Sequence, residues 1–241
     1  MQETAQVQVR ARRVAFFGGS FDPPHLGHLA VARAAKTALE IDVVLFAPVG
    51  AQPLKTQGSA ASFEDRVEMT RLAIAGESGM EVSLADVPKA NATPNYTLET
   101  LQNLRGELGE DSLLYFLMGA DSFLGLKKWH RAAEIPFAAP LIVASRPGQK
   151  VEDMRAALPA GLTIEEKAMR EETCGGVEVR RFLLKSTVGE RAVLYLLPGL
   201  DVPISASQIR SAMHGGVSEV NEDSLVPAAV AKYVREHGLY R

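Results

Sequence analysis

The chain has 241 residues, of which 46% are hydrophobic and 23% are charged. These values are typical of one large globular domain, and they exclude wholesale disorder, collagen and coiled coil. Lysines and arginines number 26 against 29 aspartates and glutamates, a formal net charge of -3. No overall positive field therefore attracts nucleic acid, and any anion site must be local.

Cysteine content and apolar patterning predict where the protein resides. Cys174 is the only cysteine, which excludes an intrachain disulfide and argues against a structural zinc site. Residues 1–13 lack the apolar core of a signal peptide, and no run of about 18 apolar residues occurs in the chain. We expect a flexible leader over residues 1–13 and a soluble, cytoplasmic protein with neither membrane nor nucleic-acid partners.

Buried-strand and helix patterns alternate along the first 145 residues. Residues 14–17 form an unbroken apolar run that ends in a glycine pair, typical of a strand buried on both faces. Residues 28–39 are rich in alanine and leucine and contain no glycine or proline, which predicts a helix. The same reasoning predicts strands at 43–46, 81–84, 113–118 and 141–144, and helices at 97–108 and after the capping residue Ser62.

This alternation predicts an α/β fold with a Rossmann-like, doubly wound open sheet that is mostly parallel. Ligands of such sheets bind beyond the carboxyl ends of the strands. The loops at 18–28, 47–55 and 119–129, and the stretch after residue 144, are therefore the expected site.

The regular alternation weakens between residues 147 and 191. A charged, helical segment is expected around residues 165–172, followed by the glycine pair Gly175-Gly176. We interpret residues 150–190 as an insert in, or an elaborated edge of, a single domain spanning 14–241. Strands at 177–184 and 192–197 and helices at 205–213 and 226–237 are expected to complete the domain.

The densest group of functional residue types is the loop GGSFDPPHLGH at 18–28. Gly18 and Gly19 allow a phosphate to approach the main chain. His25 and His28 lie three residues apart at a helix start, and Gly27 between them leaves room for a ligand. A helix N-terminus carries free N–H groups and partial positive charge, so the loop predicts a polyphosphate site. The alternative is an ordinary cap with two surface histidines.

A second helix start has the same potential. Ser205 and Gln208 have the spacing of a capping box, and Ser207 adds a hydroxyl in the first turn. Arg210 lies one turn beyond Ser207 on the same face. The segment predicts either a further anion-binding helix start or a plain cap with a solvated arginine.

The loop at 18–28 resembles the HxGH signature of the nucleotidylyltransferase superfamily, and specifically of the bacterial nicotinate-nucleotide adenylyltransferases. Further matches follow in the family's order and together span nearly the whole chain. They are Lys55 at the end of PVGAQPLK, Arg66 with Met69, Tyr96-Thr97 with Thr100-Leu101, the MGADS segment at 118–122, Trp129, Arg146-Pro147-Gly148 and the ISASQIR segment at 204–210.

The resemblance implies adenylyl transfer from ATP to nicotinate mononucleotide, giving deamido-NAD and pyrophosphate in NAD biosynthesis. It also implies Mg²⁺ held mainly by the substrate phosphates, with no protein metal site. The implied catalytic residues are His25, His28, Lys55 and Arg210. Those implied for ATP are Gly18, Gly19, Ser20, Phe21, His25, Gly27, His28, Gly119, Asp121, Ser205, Ser207 and Arg210. Those implied for the mononucleotide are Lys55, Tyr96, Thr97, Trp129 and Arg146.

The chain departs from the family pattern at Leu54, where the family usually has histidine, which concerns substrate affinity rather than reaction type. Two other acceptors stay open, nicotinamide mononucleotide and phosphopantetheine. A sensor that binds nucleotide without turnover is the alternative from a different class of protein. Whether the protein is a homo-oligomer also stays open. A dinucleotide-dependent dehydrogenase is disfavoured, because no two glycines have the G-x-G spacing.

Overall fold

The computed structural model describes residues 10–54, 58–90, 93–145, 151–200, 205–215 and 225–241. The strands in this part of the chain are β1 Arg12–Gly19, β2 Val43–Pro48, β3 Met80–Val82, β4 Ser112–Gly119, β5 Leu141–Ala144, β6 Leu162–Cys174, β7 Val177–Ser186 and β8 Arg191–Leu197. The α-helices are α1 Leu26–Leu39, α2 Phe63–Ile74, α3 Thr97–Leu108, α4 Ala120–Leu124, α5 Ile135–Ala138, α6 Val151–Ala157, α7 Ala206–Gly215 and α8 Ala228–His237.

The strands form one sheet in the order β3-β2-β1-β4-β5-β8-β7-β6. Neighbours from β3 to β8 pair in parallel, whereas β7 pairs antiparallel with both β8 and β6. The predicted doubly wound, mostly parallel sheet is therefore confirmed. β1 begins at Arg12, two residues before the predicted start and within the segment expected to be a leader, because Arg12 and Arg13 pair with β4.

Apolar side chains of β1 alternate between the two faces of the sheet. Phe16 packs on one face with α3 and α5, and Phe17 packs on the other face with α1. Each fully buried phenylalanine contributes about 1.5–3 kcal/mol relative to an exposed one. A third cluster lies away from the sheet and joins α2, α7 and α8 through Met69, Ile209 and Val230. This cluster sets α7 against the rest of the domain.

Within the segment 150–190, β6 and β7 form one edge of the sheet, and the helix expected around residues 165–172 is wrong. Those residues belong to β6, which turns through Gly175 and Gly176, with φ of 55° and 82°, into β7. Pairing with β7 decides the conformation, because the charged sequence has no apolar periodicity of its own. Charged residues are common on exposed edge strands, where they oppose edge-to-edge association.

The remaining differences are small. β3 covers Met80–Val82 rather than 81–84, and α6 was not predicted. Ser62 caps α2 as expected, with its side chain accepting a hydrogen bond from the Asp65 N–H at 3.0 Å. Among the described residues, no helix combines the length and apolar content that crossing a bilayer requires.

Candidate active site

A cleft of about 600 Å³ opens at the carboxyl ends of β1, β4 and β5. The sheet order reverses between β1 and β4, and this switch point is where doubly wound sheets bind ligands. Every predicted site residue that the structure describes lines this cleft, namely Gly18, Gly19, Ser20, Phe21, His25, Gly27, His28, Tyr96, Thr97, Gly119, Asp121, Trp129, Ser205, Ser207 and Arg210. The predicted residues Lys55 and Arg146 lie outside the described residues.

The two histidines lie together at the start of α1. His25 is the N-cap residue, with extended backbone angles, and its ring centroid lies 3.8 Å from that of His28. The His25 backbone N–H donates to Nδ1 of His28 at 3.1 Å. Because Nδ1 accepts a hydrogen bond, the proton of a neutral His28 ring is on Nε2. His28 is therefore set to donate a hydrogen bond from Nε2.

Apolar neighbours keep His28 neutral. The rings of Phe21 and Phe17 lie with centroids 4.9 and 6.0 Å from that of His28. Burial lowers the pKa of His28 well below its usual range, and the nearby His25 ring lowers this pKa further. At neutral pH His28 is thus an uncharged donor, and positive charge at this end of the cleft comes from other groups.

The free energy of unfolding is expected to fall as the pH drops below about 6.5, the usual pKa of histidine. The unfolded chain binds a proton at His28 in this range and the folded protein does not, so acid favours unfolding. This stability is complete above pH 6.5 and is lost as the pH falls toward the lowered native pKa. Urea unfolding at a series of pH values measures this change in the free energy of unfolding. His28→Asn keeps an acceptor for the His25 N–H but does not titrate, so its free energy of unfolding should depend less steeply on pH. Equal pH dependence in the parent and the variant would contradict the assignment.

The packing of aromatic rings requires glycine at positions 18 and 19. Both lie in β1 and neither has a positive φ. A Cβ on Gly18 would lie 3.0 Å from the Phe16 ring, and one on Gly19 would lie 3.2 Å from the Phe21 ring. The glycines therefore make room for aromatic rings. Phe21 itself has the left-handed φ, at 47°.

Arg66 connects two walls of the cleft. It is only 2% exposed, and its guanidinium donates to the carbonyl oxygens of Ser20 at 2.8 Å and Val49 at 2.9 Å. It also lies over the Phe63 ring, 5.6 Å from the centroid. Arg66 is among the residues that carry the family resemblance in the sequence, but the resemblance assigns no role to it. Its position holds the loop after β1 against the loop after β2.

The start of α7 lies at the same end of the cleft as the histidines. The Gln208 N–H donates to Ser205 Oγ at 3.2 Å and the Ser205 N–H donates to Gln208 Oε1 at 3.1 Å, so the predicted capping box is confirmed. Arg210 donates to Ser207 Oγ at 3.3 Å and to the carbonyl oxygen of Asp22 at 2.6 Å. This last contact joins α7 to the loop at 18–28.

The opposite end of the cleft is aromatic. Trp129 is half-buried, with its ring centroid 6.1 Å from that of Phe116. The Tyr96 and His130 rings lie 4.3 Å apart at 33°. Tyr96 is the N-cap residue of α3, so the first N–H groups of that helix are at the cleft wall. Thr97 is the first helical residue of α3.

Asn95 anchors the segment that leads into α3. Its side-chain oxygen accepts from the Ala51 N–H at 3.0 Å, its backbone N–H donates to the Ala51 carbonyl at 3.0 Å, and its amide nitrogen donates to the Val87 carbonyl at 2.9 Å. Asn95 was not predicted as a site residue. Its only sequence signal is an asparagine close to a predicted helix start, and its burial, at 6% exposed, is seen only in the structure.

A buried carboxylate lies beneath this segment. Asp86 is 4% exposed and accepts a hydrogen bond from the Thr100 hydroxyl at 2.5 Å. Burial raises the pKa of Asp86, and the hydrogen bond from Thr100 opposes that rise. The carbonyl of Asp86 accepts from the Gly50 N–H at 2.7 Å, and a Cβ on Gly50 would overlap the Pro88 backbone. Close packing here fixes the loops behind the aromatic end.

Asp121 lies two residues beyond the end of β4. Gly119 is the N-cap residue of α4, and Asp121 is the second residue of that short helix with an exposed side chain. Gly119, and not Asp121, thus caps this helix, and Asp121 lines the cleft.

Comparison with known proteins agrees with this geometry. The cytidylyltransferase-like family model matches residues 16–212. A protein of Solibacter usitatus named "probable nicotinate-nucleotide adenylyltransferase" is 33% identical over 229 residues, which cover 95% of this chain and 99% of that protein. A Gloeobacter violaceus protein of the same name is 34% identical over 228 residues, or 95% and 96% of the two chains.

The fold has also been observed in a solved structure. The nicotinic acid mononucleotide adenylyltransferase of Plasmodium falciparum, complexed with NaAD, superposes with a TM-score of 0.68 over 95% of this chain and 97% of that chain. At 16% identity this likeness concerns the fold. The family match includes the loop at 18–28, the start of α3 and most of α7, which all border the cleft. The chain therefore belongs to the cytidylyltransferase-like family and, within it, to the nicotinate-nucleotide adenylyltransferases, which are nucleotidyltransferases.

Proposed function

We propose that this protein transfers the adenylyl group of ATP to nicotinate mononucleotide, releasing pyrophosphate and forming deamido-NAD. The observation that supports this most directly is the division of one cleft into two unlike ends. Imidazole and guanidinium donors and a helix start surround one end, and aromatic rings beside a second helix start surround the other. The first end suits a triphosphate and the second suits a pyridine ring with an anionic substituent.

At the phosphate end, His28 donates from Nε2, and the N-terminus of α1 adds its partial positive charge. His25 donates from the neighbouring ring, and Arg210 presents the guanidinium N–H groups that Asp22 and Ser207 leave available. These groups act on the charge that grows on the departing pyrophosphate. Lys55 and Arg146 keep the roles that the family resemblance implies.

The acceptor needs no general base. The second pKa of a phosphate monoester is about 6, so the mononucleotide phosphate is largely dianionic at neutral pH. One of its oxygens bonds to the α-phosphorus of ATP while the bond from that phosphorus to the bridging oxygen breaks, and the electron pair leaves with pyrophosphate. The protein must hold two mutually repelling anions in line and stabilise the leaving group.

At the aromatic end, Trp129 offers a ring face to the pyridine, and the N–H groups at the start of α3 point toward its carboxylate. A carboxylate accepts hydrogen bonds only, whereas the amide group of nicotinamide also carries two N–H donors that would meet other donors. The backbone arrangement around Tyr96 and Thr97 thus favours the acid over the amide.

A magnesium ion bound mainly by substrate phosphates fits the residues present. Among the residues that the structure describes, no group of three or more histidine, cysteine, aspartate or glutamate side chains could hold a metal ion. The buried carboxylates of Asp22 and Asp86 already accept hydrogen bonds from protein groups. Mg²⁺ commonly keeps several waters and binds one or two carboxylates plus phosphates, and it would supply charge neutralisation here.

Pyrophosphate release tests the proposal. With ATP and Mg²⁺, we expect kcat/KM for nicotinate mononucleotide to exceed that for nicotinamide mononucleotide by at least about tenfold, because one buried donor facing a donor costs about 1–3 kcal/mol. Phosphopantetheine should give no pyrophosphate above background. Equal or better use of the amide would overturn the choice of acceptor, and no turnover with any acceptor would favour the nucleotide sensor.

A further inference from the structure

The Asp22 carboxylate is held by three donors, although it lies in the loop that carries His25. Asp22 is 3% exposed. Its carboxylate accepts hydrogen bonds from the backbone N–H groups of Ala60 at 2.7 Å and Ala61 at 3.1 Å. The third donor is the Tyr240 hydroxyl, at 2.7 Å. A buried carboxylate with this many partners is anchored in position rather than set to react.

Tyr240 follows α8 and is far from this loop in sequence. It is 7% exposed, and its φ of 62° lies in the left-handed region, which is uncommon for a tyrosine. Burial raises the pKa of Tyr240, and the hydrogen bond to Asp22 raises this pKa further. The hydroxyl therefore stays protonated and donates to the carboxylate at any working pH.

Asp22 in turn contacts the phosphate end directly. Its carbonyl oxygen accepts from the Arg210 guanidinium at 2.6 Å, and one oxygen of its carboxylate lies 3.9 Å from the same nitrogen. His25 follows three residues later in the same loop. A displacement of Asp22 would therefore move an arginine and a histidine that both face the cleft.

We propose that Tyr240 is a positioning residue, whose hydroxyl holds the Asp22 carboxylate and through it sets Arg210 and the His25 loop for phosphate binding. The proposal rests on the proposed function, because it concerns the ATP end of that site. A positioning role predicts unequal effects on the two substrates, whereas a purely structural role does not. The Tyr240 hydroxyl contacts Asp22, which lies at the phosphate end, so its loss should affect ATP and spare the mononucleotide.

Tyr240→Phe removes the hydroxyl and keeps the ring. We expect kcat/KM for ATP to fall about tenfold, less than the roughly hundredfold that a 1 Å misplacement costs. The fall should appear in kcat and in KM for ATP, while KM for nicotinate mononucleotide stays within about twofold. Steady-state kinetics are measured at a temperature where circular dichroism shows each variant fully folded, so loss of stability alone changes neither constant.

The chain offers a matched control in Tyr233. Its hydroxyl donates to Asp65 at 2.9 Å, which joins α8 to α2 away from the cleft. Tyr233→Phe removes the same atom from the same part of the fold and should leave all three kinetic constants within about twofold of the parent.

Asp22→Asn provides a second test of the contact between Tyr240 and Asp22, and it leaves the Tyr240 side chain unchanged. It should show the same selective loss for ATP, at least as large as that of Tyr240→Phe. If the two residues act through one contact, the double variant should be no worse than Asp22→Asn alone, because effects within one network are not additive.

Three outcomes would overturn the positioning role while the parent protein is active. They are an unchanged kcat/KM for ATP in both single variants, an equal rise in KM for both substrates, and strictly multiplicative losses in the double variant. A parent protein that releases no pyrophosphate would instead overturn the proposed function, so the two failures are distinguishable.

Discussion

His28→Ala is expected to lower kcat for adenylyl transfer by a factor of about 10² to 10³, with the fold retained. Removing one preorganised donor from a site of developing charge costs about 2.7–4 kcal/mol, which corresponds to that factor. His28 fits this case because Nδ1 is occupied by the His25 N–H and the ring, packed beside Phe17 and Phe21, stays neutral, so Nε2 donates without reorganisation. Pyrophosphate release at saturating substrates measures kcat, and circular dichroism verifies the fold.

Two amide variants separate the two nitrogens of His28. The amide of asparagine overlies Nδ1 and can accept from the His25 N–H, so His28→Asn should keep the loop but be as slow as His28→Ala. The amide of glutamine reaches the position of Nε2 and supplies an N–H donor there, so His28→Gln should recover part of the lost rate. His237→Ala is the control, since His237 is exposed on α8 and contacts the Tyr233 carbonyl. A His28→Ala variant within a few fold of the parent would contradict the assigned role.

Local patterns were sufficient to predict most of the fold. β1 and β5 are short apolar runs buried on both faces, and α1 has a strong helix-forming composition, so each element carries its own signal. β6 carries none, because its conformation depends on pairing with β7 across the turn at Gly175 and Gly176. Edge strands with charged residues are therefore where propensity arguments fail first.

The site residues also divide into those with a local sequence signal and those placed by contacts between distant segments. The loop at 18–28 was found because its histidines and helix start are contiguous in sequence. Arg66, Asn95 and Tyr240 reach the cleft loops only through contacts between distant parts of the chain, 44 residues apart for Asn95 with Ala51 and 218 for Tyr240 with Asp22. One signal was available for Arg66, which is a charged residue on the buried face of α2.

Arg210→Ala is expected to lower kcat/KM for ATP by about 10² or more, and Arg210→Lys should recover little of the loss. The guanidinium donates at once to the Asp22 carbonyl and to Ser207 Oγ, and as a planar group with five N–H donors it can keep the others directed at a phosphate. Losing a charged donor from such a site costs about as much as losing an oxyanion-hole donor, roughly 2.7 kcal/mol or more. Lysine is a point charge and cannot make these contacts together.

The exposed Arg71 is the matched control for this prediction. It pairs with Glu68 one turn away on α2 and does not line the cleft, so Arg71→Ala should leave kcat/KM within about twofold of the parent. Arg210→Ala should raise KM for ATP and leave KM for nicotinate mononucleotide nearly unchanged, because the hydrogen bonds of Arg210 to Asp22 and Ser207 lie at the phosphate end of the cleft. If Arg210→Lys is fully active, the planar arrangement of several N–H donors is unnecessary and Arg210 supplies only positive charge. If Arg210→Ala is fully active, the start of α7 is an ordinary capped helix and the phosphate end depends on the loop at 18–28 alone.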